Sequence, residues 1–221
     1  MRKILRMGIR PSRLALKQAE EIKSSFPSAS FKIIAIKTAG DKDRITPLSD
    51  VEGSDFFTKE IDDALLSGEI DLAVHSSKDL PDIIPPGLRV ILETESISLF
   101  DALVSRDGLK LMDLPGGSRV GSSSLRRKSQ LSRIRDDLEA VDIRGTIEER
   151  LALVDSKRID ALIVAHAALI RLGLEERITE VFPLKIFQTH SKQGRLSLLV
   201  MEDRCERVKF ILSGQARVTG N

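Results

Sequence analysis

The sequence predicts an α/β protein made of two similar βαβαβ lobes with a ligand cleft between them. Short apolar segments typical of strands alternate with amphipathic helical patterns along the chain. Two pairs of segments also repeat between the halves, and turns that contain Gly and Ser join strand ends to helix starts. With 221 residues, the chain is long enough for two domains of about 100 residues each.

Predicted strands and helices follow one another along nearly the whole chain. Strands are expected at 3–9, 31–38, 70–76, 88–94, 101–106, 118–121, 138–143, 159–165 and 196–201. Helices are expected at 11–24, 57–66, 125–135, 147–156, 167–172 and 204–212. Strands that alternate with helices in this way are typical of a largely parallel sheet.

Two weak internal repeats support the two-lobed interpretation. "SGEIDLAVHSSKDL" (67–80) and "SKRIDALIVAHAAL" (156–169) share an Ile-Asp strand start and a His near the strand end. "MGIRPSRLAL" (7–16) and "VGSSSLRRKSQL" (120–131) both run from a strand through Gly and Ser into a helix with arginine near its start. Chance similarity among α/β segments is the alternative explanation.

We therefore predict a first lobe formed by 1–96 together with 191–221, and a second lobe formed by 97–190. In open α/β sheets, ligands bind at the carboxyl ends of the strands, where loops and helix starts meet. Both repeated turns fall at such strand ends, so we expect them at the edge of the cleft.

Composition indicates an ordinary globular protein, with 41% hydrophobic and 31% charged residues. No apolar run approaches the roughly 18 residues that cross a membrane, and the start lacks the apolar core of a signal peptide. We expect a cytoplasmic protein with no membrane partner. The single Cys205 excludes an intramolecular disulfide, and no motif supports a metal site.

The charge balance argues against a nucleic-acid partner. The chain carries 35 basic and 33 acidic residues, for a net charge of +2, and it has no Trp or Tyr on which bases could stack. Any preference for anions must therefore come from local clusters of basic residues.

One such cluster lies in "VGSSSLRRKSQ" (120–130), where three serines precede Arg126, Arg127 and Lys128 at a predicted helix start. Cations there face the positive end of the helix dipole, which is unfavourable unless an anion is bound. Serine side chains can cap the backbone N–H groups, and with the arginines they would form a site for carboxylate or phosphate. The alternative is that the arginines point to solvent and only a capping serine matters.

Further arginines follow strand ends in the same half. Arg144 lies beside Gly145, which allows a tight strand-to-helix turn, and Arg150 and Arg171 lie on the helices that follow two strands. Each is typical of a surface residue when taken alone. Together they predict a site that holds several carboxylates at once.

The segment "AVHSSKDLP" (73–81) places Lys78 and Asp79 just after an apolar strand. A lone aspartate among cations stays ionised and could stabilise a developing cation or handle a proton. The alternative is that both are turn residues before Pro81. The scattered histidines are interpreted as structural: His75, His166 and His190. No Ser-His-Asp order or P-loop spacing supports nucleotide hydrolysis.

Seven segments, in order along the chain, resemble the porphobilinogen deaminase (hydroxymethylbilane synthase) family. They are "GIRPSRLALKQA" (8–19), "KTAGDKD" (37–43), "FFTKEIDDALLSGEIDLAVHSSKDLP" (56–81), "DALVSRDG" (101–108), "VGSSSLRRKSQL" (120–131), "IRGTIEERL" (143–151) and "LIRLGLEERI" (169–178). The resemblance implies a transferase of porphyrin and heme biosynthesis. It would join four porphobilinogen molecules into a linear tetrapyrrole with release of ammonia, and its lobes would be of the type II periplasmic-binding-protein class.

The resemblance also implies roles for individual residues. Asp79 matches the family's catalytic aspartate. Positions that hold the carboxylates of a dipyrromethane cofactor are matched by Lys78, Ser124, Arg126 and Arg127. Positions that receive the porphobilinogen substrate or the growing chain are matched by Arg10, Ser12, Arg144, Arg150 and Arg171.

Some features depart from the family pattern. Family members continue into a third domain, whose cysteine in a Gly-rich loop attaches the cofactor, and we expect this chain to lack that domain. Cys205, in "EDRCERVKFIL", lies on a predicted amphipathic helix and does not match that motif. Phe100 replaces a usual arginine. A non-catalytic binder of porphobilinogen or of a linear tetrapyrrole, and a fragment of the enzyme, are the alternative interpretations.

Overall fold

A computed structural model describes residues 4–43, 46 and 54–214. The chain divides into two compact units. Unit 1 comprises Met1–Lys42, Asp55–Thr94 and Leu196–Asn221, and unit 2 comprises Asp43–Ser54 and Glu95–Arg195.

These boundaries differ from the predicted lobes at three places. Residues 43–54, 95–96 and 191–195 belong to unit 2, although all three stretches were predicted in the first lobe. Hydrogen bonds explain the last difference, because the Gln193 side chain donates to the carbonyls of Leu99 and Phe100 at 3.0 and 2.9 Å. Ser96 also donates to the Gln193 carbonyl at 2.7 Å.

The strands and helices alternate as predicted. In chain order they are β1 (Ile4–Ile9), α1 (Arg13–Ser25), β2 (Ser30–Ala35), α2 (Ala39–Lys42), α3 (Lys59–Leu66), β3 (Leu72–Ser76), β4 (Leu88–Glu93), β5 (Asp101–Ser105), β6 (Arg119–Gly121), α4 (Leu125–Ile134), β7 (Glu139–Val141), α5 (Ile147–Asp155), β8 (Ala161–Ala165), α6 (His166–Leu172), β9 (Glu180–Val181), β10 (Leu196–Met201) and α7 (Cys205–Leu212). The predicted α/β class is confirmed. None of the helices in the described ranges is long and apolar enough to span a membrane.

Unit 1 contains a five-stranded sheet with the order β2-β1-β3-β10-β4. β1 runs parallel to β2 and β3, and β10 is antiparallel to β3 and β4, so β10 is the one of these five strands that runs in the opposite direction. Alternate residues of β3 face opposite sides of this sheet, as the strand period requires. Leu72 and Val74 pack in the core that includes α1 and α7, whereas Ala73 packs in the core that includes α3.

Unit 2 contains a second five-stranded sheet, with the order β7-β6-β8-β5-β9. β6 is parallel to β7 and β8, while β5 is antiparallel to β8 and β9. Every residue of β8 is buried, which is typical of a strand covered on both faces. In both units most strands therefore run in one direction, so their carboxyl ends gather at one edge of the sheet.

A buried ion pair joins β5 to α4 in unit 2. Arg127, in the first turn of α4, donates from Nε and Nη2 to the carboxylate of Asp101 at 2.8 and 2.6 Å. The Arg127 and Asp101 side chains are 7% and 0% exposed. The Gln193 amide also donates to Asp101, at 2.8 Å. The pair is thus fully enclosed and doubly hydrogen-bonded, as a buried charge requires.

A different charge is buried in unit 1 without such a partner. Asp62 lies on the inner face of α3 and is 4% exposed. Neither carboxylate oxygen has a hydrogen-bond partner among the described residues. Burial raises the pKa of Asp62 to about 6; the Thr58 hydroxyl opposes this rise, whereas like-charge repulsion from Asp63 and Asp55 adds to it.

We expect Asp62→Asn to stabilise the chain at pH 7.5. The folded-state pKa lies above the unfolded value, so the ionised carboxylate destabilises the fold above pH 6, and this effect disappears below about pH 4. Chemical denaturation should show a gain of about 1–3 kcal/mol in the free energy of unfolding at pH 7.5 and almost none at pH 4. Asp82→Asn, at an exposed acid of the same unit, is the control. A gain of equal size at both pH values would contradict this account.

We expect Asp101→Asn to destabilise the chain, because Arg127 would remain as an uncompensated buried charge. The free energy of unfolding should fall by about 3–5 kcal/mol in urea denaturation. The matched control is Asp142→Asn, which removes the partner of Lys128 on the same helix; that pair is 2.6 Å long, and the Asp142 side chain is 54% exposed. The control should lose at most about 1 kcal/mol. Similar losses in both variants would show that the burial of the first pair has no special effect.

Candidate functional site

Arg10 follows β1 and is fixed by contacts on two sides. Its Nε and Nη2 donate to Oδ1 of Asp41 at 3.1 and 2.5 Å. Its guanidinium carbon also lies 4.3 Å from the centroid of the Phe57 ring, in a cation–π contact. Two residues on, Ser12 begins α1 and accepts a hydrogen bond from the Ala15 amide at 3.1 Å. The turn predicted from "MGIRPS" thus presents a guanidinium that is held in one orientation.

Asp41 connects this turn to the segment "KTAGD". Its Oδ2 accepts hydrogen bonds from the amide and hydroxyl of Thr38 at 3.0 and 2.9 Å, while Oδ1 accepts from Arg10. Burial alone would raise the pKa of Asp41, but the hydrogen bonds from Arg10 and Thr38 hold it below its ordinary value. Asp41 therefore stays ionised and positions Arg10.

The end of β3 presents the predicted catalytic segment. A 3-10 turn, Ser77–Asp79, follows the strand directly. The buried hydroxyls of Ser77 and Ser197 are hydrogen-bonded at 2.7 Å, which anchors this turn to β10. Lys78 is half-buried, and Asp79 is exposed. Asp79 is thus a solvent-accessible carboxylate on a fixed turn.

Asp79 lies at a small cavity inside unit 1. The volume is about 50 Å³, and the polar and aromatic lining residues are Arg10, Ser12, Gln18, Phe57, His75, Ser76 and Asp79. The cavity brings together three of the predicted site residues, one cationic, one hydroxyl-bearing and one anionic. Such a lining suits a ligand that carries both a carboxylate and a hydrogen-bond donor.

His75, which we interpreted as structural, also lines this cavity. Its side chain is 5% exposed, and its buried Nε2 has no hydrogen-bond partner among the described residues. Burial lowers the pKa of His75 to about 4; the Asp79 carboxylate opposes this shift, and the Arg10 guanidinium adds to it. The imidazole is therefore uncharged at neutral pH.

In unit 2, the three serines before α4 have roles that differ from the predicted one. Ser122 accepts a hydrogen bond from the Ser124 amide at 3.2 Å, and Ser123 donates to the Ile143 carbonyl at 2.5 Å. Ser124 is the N-cap residue, but its side chain makes no capping hydrogen bond. The prediction that a serine side chain caps this helix is therefore wrong, because the first two hydroxyls fix the preceding turn instead.

Arg126 and Arg127 are adjacent in sequence but differ in their surroundings. Arg127 binds the carboxylate of Asp101 in the same chain through two hydrogen bonds. The interpretation that it points to solvent is thus wrong. Arg126 is half-buried, and its Nε is buried with no hydrogen-bond partner among the described residues. The helix start therefore combines an uncapped N-terminus with a guanidinium that has an unused buried donor.

The remaining predicted arginines of unit 2 each reach a backbone carbonyl. Arg144 donates to the Asp43 carbonyl at 2.6 Å, which explains why Asp43 belongs to unit 2. Arg150 donates to the Gly145 carbonyl at 2.9 Å. Arg171 donates to the Gly194 carbonyl, also at 2.9 Å. All three are half-buried side chains that are already oriented by the chain.

The ten predicted site residues thus fall into two groups, one in each unit. Unit 1 holds Arg10, Ser12, Lys78 and Asp79, and unit 2 holds Ser124, Arg126, Arg127, Arg144, Arg150 and Arg171. The sequence alone does not identify four residues that orient them, namely Asp41, Phe57, Asp101 and Gln193. His75, four residues before Asp79 in the same segment, was interpreted as structural.

Several known proteins with similar sequences are porphobilinogen deaminases. The porphobilinogen deaminase of Geobacter metallireducens is 42% identical over 200 residues, which cover 89% of this chain and 63% of the relative. That of Pelotomaculum thermopropionicum is 40% identical over 215 residues, which cover 96% of this chain and 69% of the relative. The chain spans about 63% of the length of several such relatives.

Solved structures with lower sequence identity share the fold. A sulfate-bound mutant form of the OxyR2 regulatory domain from Vibrio vulnificus is 16% identical with a TM-score of 0.53, covering 96% of this chain and 94% of that domain. The periplasmic aliphatic sulphonate binding protein of Escherichia coli is 14% identical with a TM-score of 0.50, covering 96% of this chain and 67% of that protein. The fold is that of type II periplasmic-binding-protein-like domains.

The family model described as "Porphobilinogen deaminase, dipyromethane cofactor binding domain" matches residues 5–209. This range includes both sheets and all ten predicted site residues. The chain belongs to the porphobilinogen deaminase family.

Proposed function

We propose that the chain catalyses the polymerisation of porphobilinogen into a linear tetrapyrrole with release of ammonia, as a transferase of porphyrin and heme biosynthesis. The observation that carries this proposal is the cavity of unit 1, where the exposed Asp79 carboxylate and the oriented Arg10 guanidinium line the same space. A cytoplasmic location, and a small polycarboxylate rather than a nucleic acid as partner, stay predictions from the sequence.

Asp79 is the proposed catalytic residue. Loss of ammonia from porphobilinogen leaves a positive charge on the pyrrole, and an adjacent carboxylate stabilises that charge as it develops. The hydrogen bond between Ser77 and Ser197 fixes the turn that carries Asp79, so the carboxylate is positioned before the substrate binds. His75 adds no charge beside it, since burial keeps the imidazole neutral.

The arginines are proposed to bind the acetate and propionate groups of the substrate and of the growing chain. Each pyrrole adds two carboxylates, so the product becomes more anionic with each addition. Guanidinium groups suit this task because they remain charged and bind carboxylates through two hydrogen bonds. The proposed substrate-binding residues are Arg10, Ser12, Arg144, Arg150 and Arg171.

The start of α4 fits the dipyrromethane cofactor that the family model names. Ser124 leaves its hydroxyl unused at the helix N-terminus, and Arg126 has a buried Nε without a partner among the described residues. We propose that these two, with Lys78, hold the cofactor's carboxylates. We keep Arg127 in the proposed cofactor-binding set. Its guanidinium is hydrogen-bonded to Asp101, so it would act on the cofactor through its charge. When bound, the cofactor supplies the pyrrole on which the chain grows.

Cys205 is not proposed as an attachment point for the cofactor. It is 4% exposed within the core of unit 1, and its thiol donates to the Met201 carbonyl at 3.7 Å. A thioether would require this side chain to leave the core.

We expect Asp79→Asn to abolish sustained porphobilinogen consumption while leaving the fold intact, because an amide cannot neutralise the cationic pyrrole. The measurement is consumption of porphobilinogen over many turnovers, with circular dichroism to verify the fold. Asp82→Asn, at an exposed acid three residues further on, is the matched control and should retain activity. Undiminished turnover by Asp79→Asn would refute the catalytic assignment. Binding without turnover by the unmodified chain would favour a non-catalytic binder.

We expect Arg126→Gln to weaken the binding of a linear tetrapyrrole by at least about tenfold, equivalent to about 1.4 kcal/mol. The loss should shrink as salt concentration rises, since screening weakens the ionic interaction. Isothermal titration calorimetry at two salt concentrations is the measurement. Arg133→Gln is the control, because Arg133 is exposed in the last turn of the same helix. Equal effects of the two variants would indicate only a general charge effect.

A further inference from the structure

His75 is a buried polar residue to which the proposed mechanism assigns no contact with a ligand. It is the fourth of five residues in β3, and it lines the same cavity as Asp79 and Arg10. Since these two charged groups line the same cavity as His75, both act on the proton affinity of its ring. His75 is 5% exposed, and it lies in the wall of the cavity and not in a hydrophobic cluster.

The Nε2 atom of His75 has no hydrogen-bond partner among the described residues. A buried polar atom without a partner costs about 1–3 kcal/mol, and such atoms in native proteins call for a specific explanation. The cavity is polar and, at about 50 Å³, has room for a water molecule or a polar group of a ligand. A partner supplied from outside the chain would satisfy the imidazole.

The uncharged state of the ring suits a position between a cation and an anion. A protonated imidazole would be repelled by Arg10 and would offset the negative charge of Asp79. A neutral imidazole offers one acceptor and one donor nitrogen without altering either charge. It can therefore bind a polar ligand group while Asp79 retains its full charge for the developing cation.

We propose that His75 is a ligand-binding residue that accepts a hydrogen bond from the amine end of porphobilinogen. This is the end from which ammonia leaves, beside Asp79. This inference rests on the proposed function, and it adds a residue that selects for a hydrogen-bond donor at that end. The carboxylates of the same ligand are bound by Arg10.

The test compares His75→Leu with His75→Gln, both in the Asp79→Asn background so that turnover does not consume the ligand. Leucine fills the space without a polar atom, whereas glutamine keeps an uncharged hydrogen-bonding group. Porphobilinogen binding is measured by calorimetry, and the melting temperature of each variant by thermal denaturation.

His75→Leu should weaken porphobilinogen binding by at least about tenfold, with a melting temperature equal to or above that of its parent. His75→Gln should bind within about threefold of the parent, on the same scale. A purely structural role predicts the opposite for leucine, namely a lower melting temperature with unchanged affinity. Unchanged affinity in His75→Leu, with normal binding by the parent, would overturn this inference alone. No binding by the unmodified chain would overturn the proposed function as well.

A second measurement applies if His75→Leu does not fold. The ring nitrogens of ¹⁵N-labelled histidines in the Asp79→Asn chain are observed by NMR, with His75 identified by the signals that disappear when His75→Gln is added. Saturating porphobilinogen should shift the His75 ring signals. Unchanged ring signals at saturation would overturn the inference.

Discussion

The ion pair between Arg127 and Asp101 sets the position of the basic helix start. Asp101 is the first residue of β5, Arg127 lies in the first turn of α4, and Gln193 encloses both. Because an unpaired charge in the interior would be strongly destabilising, the ion pair fixes the position of α4 relative to β5. This fixes the Ser124 hydroxyl, which makes no capping hydrogen bond, and the Arg126 guanidinium at the N-terminal end of α4, which attracts anions. An arginine whose main hydrogen bonds go to Asp101 can thus organise the residues that are proposed to hold the cofactor.

Two buried titratable groups of unit 1 respond to acid in opposite ways. His75 has a folded-state pKa of about 4, below its ordinary 6.5, so stability is lost as the pH falls through this range. Asp62 has a folded-state pKa of about 6, above its ordinary 3.8, so stability is gained over nearly the same range. The two contributions therefore oppose each other between about pH 4 and 6. Removing either group should therefore expose the pH dependence of the other.

Much of the fold could be predicted from sequence because hydrophobic periodicity marks strands and helices directly. Each predicted element has a counterpart whose ends agree within three residues, whereas β9, with two residues, is too short to show a period. The predicted site residues occur at strand ends because motifs are local in sequence. Pairing across the fold is not local, so the partner of Arg127, 26 residues away, could not be predicted. The cavity beside His75 is formed by elements distant in sequence, such as the turn before α1 and Phe57. The sequence could therefore not place His75 at this cavity, and a structural role was predicted for it.

The antiparallel β10 completes the sheet of unit 1 between β3 and β4, and this has a consequence for synthesis on the ribosome. Ser77 and its partner Ser197 are 120 residues apart. At about 5–20 residues per second, the β3 edge waits on the order of ten seconds for its neighbour. Meanwhile residues 95–195 of unit 2 emerge as one continuous segment. The turn that carries Asp79 is therefore anchored late in biogenesis, and a nascent chain has an exposed strand edge for chaperones to protect until then.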